Sequence, residues 1–171
     1  FDNVSITNGS MEAINLLVNV LRKNYATLFK PTFWGYEDAL MRYEYNVNSI
    51  PLDYKLKYNL DNIELQAQNS DIIFICNPNN PTLDCIDKNV LIEIVKHNPN
   101  CHFIIDETML IFDKEFFNKS LAKYVVNVNN LSVIISFSKF LGIAGLRIGA
   151  VFSNENLIKK IKKQMVPYSV G

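Results

Sequence analysis

An excess of charge of either sign is missing from this chain: 17 Lys and Arg balance 17 Asp and Glu over 171 residues. Without a broad field to draw a polyanion or an anionic bilayer, neither a nucleic-acid partner nor a membrane partner is expected. Cysteine is scarce as well. Cys76, Cys85 and Cys101 are odd in number and show neither the CxxC pairing nor the His spacing of a zinc site, so no metal is expected. A reduced, cytoplasmic setting is the simplest one. Long apolar runs are also lacking: the longest, 71–76 and 131–137, fall far short of the ~20 residues that span a bilayer. No signal peptide is evident, and the chain opens on Phe1 rather than Met, so a piece of a larger protein is expected.

What is present suits a globular domain. Hydrophobic residues make up 49% and charged residues 20%, too apolar for a disordered chain, and the length fits one domain with a sizeable core. Asn is abundant, at 22 residues, and much of it falls at apparent turns and helix caps.

Helical and strand patterns alternate. Apolar residues from Ala13 to Leu21 recur at helical spacing and predict a helix over 10–22. Residues 26–29 read as a strand before Pro31, 33–45 as a helix, 46–50 as a strand before Pro51, and 60–68 as a weak helix. The runs 71–76, 101–106 and 131–136 read as strands buried on both faces, and 146–152 as a fourth. Helices are predicted over 88–97 and 155–165. This order implies a three-layer α/β/α domain with a mostly parallel sheet covered on both sides.

In open sheets of this kind ligands bind beyond the carboxyl ends of the strands. The unusual sequences 77–82, 106–109 and 136–139 lie at such ends, and 8–12 opens a helix. One shared site is therefore expected. Lys139 directly follows a buried strand, with no other charge until Arg147; partial desolvation would favour its uncharged, nucleophilic form, although a surface lysine at a strand end fits the same letters. Ser136, Ser138 and Arg147 suit an anion such as phosphate. No GxGxxG follows a strand and no GxxxxGK occurs, which argues against a nucleotide-binding domain.

Five short motifs occur in a telling order: Asn8-Gly9-Ser10-Met11-Glu12, Pro31-Thr32-Phe33, Asn77-Pro78-Asn79-Asn80-Pro81-Thr82, Asp106-Glu107, and Ser136-x-Ser138-Lys139 with Gly145-Leu146-Arg147-x-Gly149. Together they resemble the signature of the class I/II aminotransferases, fold-type-I enzymes that use pyridoxal 5′-phosphate (PLP), and most closely the branch of histidinol-phosphate aminotransferases and threonine-phosphate decarboxylases. The resemblance spans nearly the whole chain. It implies that Lys139 and Asp106 are catalytic: Lys139 would hold PLP as a Schiff base and move the substrate proton, and Asp106 would pair with the pyridinium nitrogen. Asn80 would donate to the phenolic oxygen of the cofactor, within a segment, 79–81, that includes a cis peptide bond. Phe33 would stack on the ring, with neighbouring Trp34 as the rival. Gly9, Ser10 and Met11, at a helix start, would join Ser136, Ser138 and Arg147 around the cofactor phosphate. Plainer roles stand beside these: a capping Asp106, an ordinary turn at Asn80, and an N-cap Ser10.

By the same resemblance, residues 1–171 are the large PLP-binding domain, lacking an N-terminal arm and a C-terminal small domain. The complete protein would be a homodimer acting on amino-acid and keto-acid or phosphorylated carbonyl substrates. An amino-acid-phosphate decarboxylase is the alternative, which the terminal pattern Gln164-Met165-x-Pro167-Tyr168-Ser169-Val170 resembles equally, and a non-catalytic module on the same fold is a third. Two positions depart from the family. Met109 replaces the usual aromatic residue three positions after Asp106, and Leu83 stands where Gly is usual. Because a non-Gly residue resists positive φ, the loop at Leu83 is expected to turn differently.

Overall fold

The computed structural model describes residues 2–139 and 141–166; of the terminal pattern above, positions 167–170 lie outside them. In chain order the elements are β1 (Val4–Asn8), α1 (Gly9–Leu21), β2 (Tyr25–Lys30), α2 (Gly35–Arg42), β3 (Asn46–Pro51), α3 (Leu60–Ala67), β4 (Ile72–Cys76), α4 (Lys88–His97), β5 (His102–Asp106), α5 (Phe116–Lys119), β6 (Leu131–Ser136), β7 (Ile148–Ser153) and α6 (Glu155–Gln164). Short 3-10 turns occupy Leu110–Phe112, Ala122–Val126 and Ala144–Leu146.

The strands form one seven-stranded sheet in the order β1-β7-β6-β5-β4-β2-β3. The pairs from β3 through β6 are parallel, whereas β7 runs antiparallel to both β6 and β1. Every residue of β4, β5 and β6 is buried, as their unbroken apolar runs require. Side chains alternate between the faces. Ile73 and Ile75 pack with α3 and α4, while Ile72, Phe74 and Cys76 pack with α1, α2 and α6. The fold is thus a three-layer α/β/α domain with a mostly parallel sheet, as the alternation of patterns predicts.

Three differences from the sequence expectations have local causes. The helix expected over 33–45 spans only Gly35–Arg42, because Tyr43 and Tyr45 donate back to Leu40 and the chain turns at Glu44, where φ is 61°. β1 escapes a sequence pattern search because it is five residues long and only alternately buried. Its partner is β7, far away in the sequence. The excursion between β5 and β6, for which the sequence offers no pattern, is ordered by short turns and the four-residue α5. It is tied down by Glu107, whose carboxylate accepts from Ser120 Oγ (2.5 Å) and the Leu121 N–H (2.7 Å).

Asn serves the turns. Asn59 and Asn154 accept from backbone N–H groups as N-caps of α3 and α6, and the Asn130 amide reaches the carbonyls of Val95, Asn98 and Cys101 at 2.9–3.0 Å, joining the end of α4 to β5. At the amino edge of the sheet, buried His102 shares a proton chain with Ser132 and Ser153. Ser153 donates to the Leu131 carbonyl and Ser132 donates to Ser153, so the Ser132 oxygen is left to accept from His102 Nε2–H at 2.8 Å. Burial holds that imidazole neutral, pushing its pKa down to about 4. No helix among the described residues is long and apolar enough to cross a membrane.

Candidate active site

β4, β5 and β6 end together. Cys76 lies opposite Asp106, Asp106 opposite Ile134, and Ser136 opposite Gly149, so the loops that follow leave from one edge of the sheet. The carboxyl end of β1 joins them through Asn8 opposite Ile148. A cavity of about 260 Å³ opens at this edge. Ser10, Met11, Phe33, Asn80, Asp106, Ser136, Ser138, Lys139 and Arg147 all line it. Gly9 is one step behind, in contact with Arg147.

One end of the cavity suits an anion. α1 begins at Gly9, which adopts φ 71°, and its first N–H groups face outward with the positive end of the helix dipole. A Cβ on Gly9 would lie 2.7 Å from Arg147 Nη2, so only glycine leaves room for the guanidinium against the helix start. Gly149 has the same logic, since a Cβ there would stand 2.6 Å from the Gly9 carbonyl carbon and 2.9 Å from Ser10 N. The N-cap is Asn8, not Ser10. Its own N–H is satisfied by Glu12 Oε2 at 2.6 Å, leaving Ser10 to the cavity wall. Among the described residues neither Arg147 nor Lys139 is ion-paired.

The floor carries one carboxylate, held from two sides. Asp106 is 4% exposed; its Oδ1 accepts from the Thr108 N–H at 2.9 Å and its Oδ2 from the Tyr36 hydroxyl at 2.8 Å. Both oxygens keep lone pairs for a further donor. Thr108 Oγ1 in turn accepts from the Ser136 N–H at 3.2 Å, locking the ends of β5 and β6 together. Beside Asp106 the Cys76 thiol donates to the Pro78 carbonyl, and burial, reinforced by the Asp106 charge, pushes its pKa up to about 12. It is a neutral thiol, not a nucleophile.

The walls resolve several sequence alternatives. Phe33 lines the cavity whereas Trp34 is 67% exposed and does not. Asn79 and Asn80 separate in role. Asn79 is fully buried and spends its side chain on Thr32, Pro31, Thr82 and Tyr58, binding the loop after β4 to the loop after β2, while Asn80 faces the cavity. The Asn80–Pro81 peptide is cis, as the sequence suggests for this segment.

Two expectations fail. Leu83 does not turn the loop differently: it adopts φ 60°, with its N–H on the Asn79 carbonyl at 2.7 Å and its side chain 63% exposed. The short loop closure imposes the left-handed conformation, and an outward-pointing side chain tolerates it. Lys139 is not desolvated by this chain either. It stands on the cavity rim, exposed.

Tyr36, Cys76 and Thr108 also line the cavity and were not foreseen as site residues. A tyrosine on the apolar face of a helix carries a weak signal, because a buried phenol needs a partner. Cys76 and Thr108 flank the strand ends already singled out, which is the only sign they give.

The model of the family "Aminotransferase class I and II" matches residues 2–170. A histidinol-phosphate aminotransferase of Clostridium novyi is 33% identical over 99% of this chain and 47% of its own length. Among solved structures, the L-threonine-O-3-phosphate decarboxylase of Porphyromonas gingivalis superposes with a TM-score of 0.83 at 25% identity, covering 99% of this chain and 50% of that one. The histidinol-phosphate aminotransferase of Clostridium acetobutylicum gives 0.87 at 24% identity, covering 98% and 50%, a likeness of fold. The chain spans about half the length of the curated relatives it matches. The fold, the ordered motifs at its carboxyl edge and the family match agree, and the chain belongs to the class I and II aminotransferases.

Proposed function

We propose that residues 1–171 are the cofactor-binding domain of a PLP-dependent aminotransferase, moving an amino group between an amino acid and a keto acid or phosphorylated carbonyl compound. The observation that carries this reading is that Asp106, at the end of β5, and Lys139 and Arg147, from the segment between β6 and β7, line one cavity. Its donor set fits PLP. A cationic, amide-rich end cleared by Gly9 and Gly149 suits a phosphate, and a carboxylate at the floor suits a protonated ring nitrogen.

In this reading Arg147, Ser10, Ser136, Ser138 and the N–H groups at the start of α1 hold the phosphate. Phe33 would cover the ring face and the Asn80 amide would donate to the ring oxygen. Asp106 would keep a proton on the ring nitrogen, and PLP, when bound, would supply an electron sink for charge developing at the substrate Cα. Lys139 Nζ would be the group that holds the cofactor and would move a proton to and from the substrate Cα. Met109 has no hydroxyl to give, so the ring oxygen relies on Asn80. The protein is read as a cytoplasmic homodimer, with the residues that recognise substrate in the rest of the protein.

The test is an absorbance titration of the protein with PLP, followed by borohydride reduction and mass mapping. A visible band and a PLP mass fixed on Lys139 are expected, both lost in Lys139→Ala. No band in the wild type, or a band unchanged in Lys139→Ala, would falsify the assignment. The phosphate decarboxylase structure keeps a second reading open for product analysis on the intact enzyme: carbon dioxide released without a keto acid would replace transamination with decarboxylation.

A further inference from the structure

We propose, resting on the PLP reading above, that Tyr36 is a positioning residue that keeps Asp106 aimed at the cofactor nitrogen. Tyr36 is 0% exposed and comes from α2, an element that contributes no other polar group to the cavity floor. Its ring is fixed on both sides, stacked on Phe74 at 4.8 Å and edge-on to Phe33 at 5.4 Å. So held, the phenol donates to Asp106 Oδ2 at 2.8 Å.

Geometry makes this contact more than filler. The other donor to Asp106 is the backbone N–H of Thr108, two residues on, which fixes one oxygen but leaves the carboxylate free to swing about that bond. The Tyr36 hydroxyl removes this freedom. It also gives the carboxylate oxygen a second, side-chain donor, which shares its negative charge. The phenol is a permanent donor: burial, then the charge of Asp106, raises its pKa well above the ordinary value. A bound PLP ring would share its nitrogen proton with Asp106. Without Tyr36, the less stabilised carboxylate would take more of that proton, and the ring nitrogen would become more like a neutral pyridine.

Tyr36→Phe keeps the ring stack and deletes only the hydroxyl. The experiment loads the intact protein with PLP labelled with 15N in the ring and records the nitrogen chemical shift, PLP affinity and the melting temperature of the apo form. Expected are a ring nitrogen shifted toward the neutral-pyridine value and PLP bound about tenfold more weakly. In an Asp106→Asn background, Tyr36→Phe should move neither quantity further. An unchanged nitrogen shift, or an equal change in the Asp106→Asn background, overturns the proposal. A melting temperature lowered without a nitrogen shift overturns it too, because Tyr36 is then structural only. If Tyr36→Phe does not fold, 3-fluorotyrosine placed at position 36, a stronger donor, must move the nitrogen toward the protonated value; no movement is a refutation. Failure of wild-type protein to bind PLP at all would instead count against the PLP reading.

Discussion

Leu83 holds φ 60° with no glycine to make that conformation easy, and its side chain makes no buried contact to offset the cost. A left-handed non-glycine residue costs on the order of 1–2 kcal/mol. Leu83→Gly removes that strain but adds freedom to the unfolded chain, so a net gain of about 0.5–1 kcal/mol is expected, read as a higher urea midpoint. A lower midpoint would mean that Leu83 packs in a way its exposure does not show. Glu107 poses a different problem for a single residue. Its neighbour Asp106 faces the cavity, whereas Glu107 points to the other side and anchors Ser120 and Leu121; burial, only partly countered by those two donors, pushes its pKa up to about 7.

Elements decide how closely parts can approach, and β7 shows it best. Gly149 on β7 sits opposite Thr7 on β1, with the start of α1 against its face. Gly149→Ala would force a Cβ to within 2.6 Å of backbone that cannot rotate away. A loss of about 1–3 kcal/mol in chemical denaturation is expected, together with weaker PLP binding, because the displaced turn carries Gly9 and Ser10. A variant as stable as wild type with undiminished affinity would refute this.

The same elements show what was legible in the letters. β4, β5 and β6 were readable because burial on both faces demands unbroken runs such as Ile72–Cys76, and α1 because its buried face repeats at helical spacing. The sites at their ends followed from topology and motif order. β1 was not readable, since half its residues face solvent and its partner lies at the far end of the sequence. The exposure of Lys139 was illegible too: desolvation depends on what else packs over a strand end, and strand sequence says nothing of that. Tyr36 was legible as a core residue, but its bond to Asp106 joins α2 to β5 across the sheet, and a long-range pair leaves no local pattern.

Two buried titrations oppose each other across the whole molecule. Glu107, raised from 4.5 to about 7, favours the folded state fully below pH 4.5, and that contribution is lost as pH rises through 7. His102, lowered from 6.5 to about 4, does the reverse: its contribution is complete above pH 6.5 and is lost as pH falls through 4. Between pH 4 and 7 they largely cancel. Glu107→Gln should unmask the histidine, so that the stability of the variant relative to wild type climbs by about 3 kcal/mol from pH 4.5 to 7. Urea melts at pH 4.5, 5.5 and 7 measure this, and a constant difference between the proteins would show that Glu107 does not titrate in that window.

The pairing of β1 with β7 has a temporal consequence. During synthesis β1 emerges long before β7, its partner in the sheet, whereas β2 through β6 can already pair with one another. β1 must wait for the turn at Arg147 and for β7 before it can join the sheet. The helix start at Gly9 and the guanidinium that faces it therefore meet only when the rest of the sheet is built. Anion capture by this edge thus waits on the β1–β7 pairing that closes this flank of the sheet.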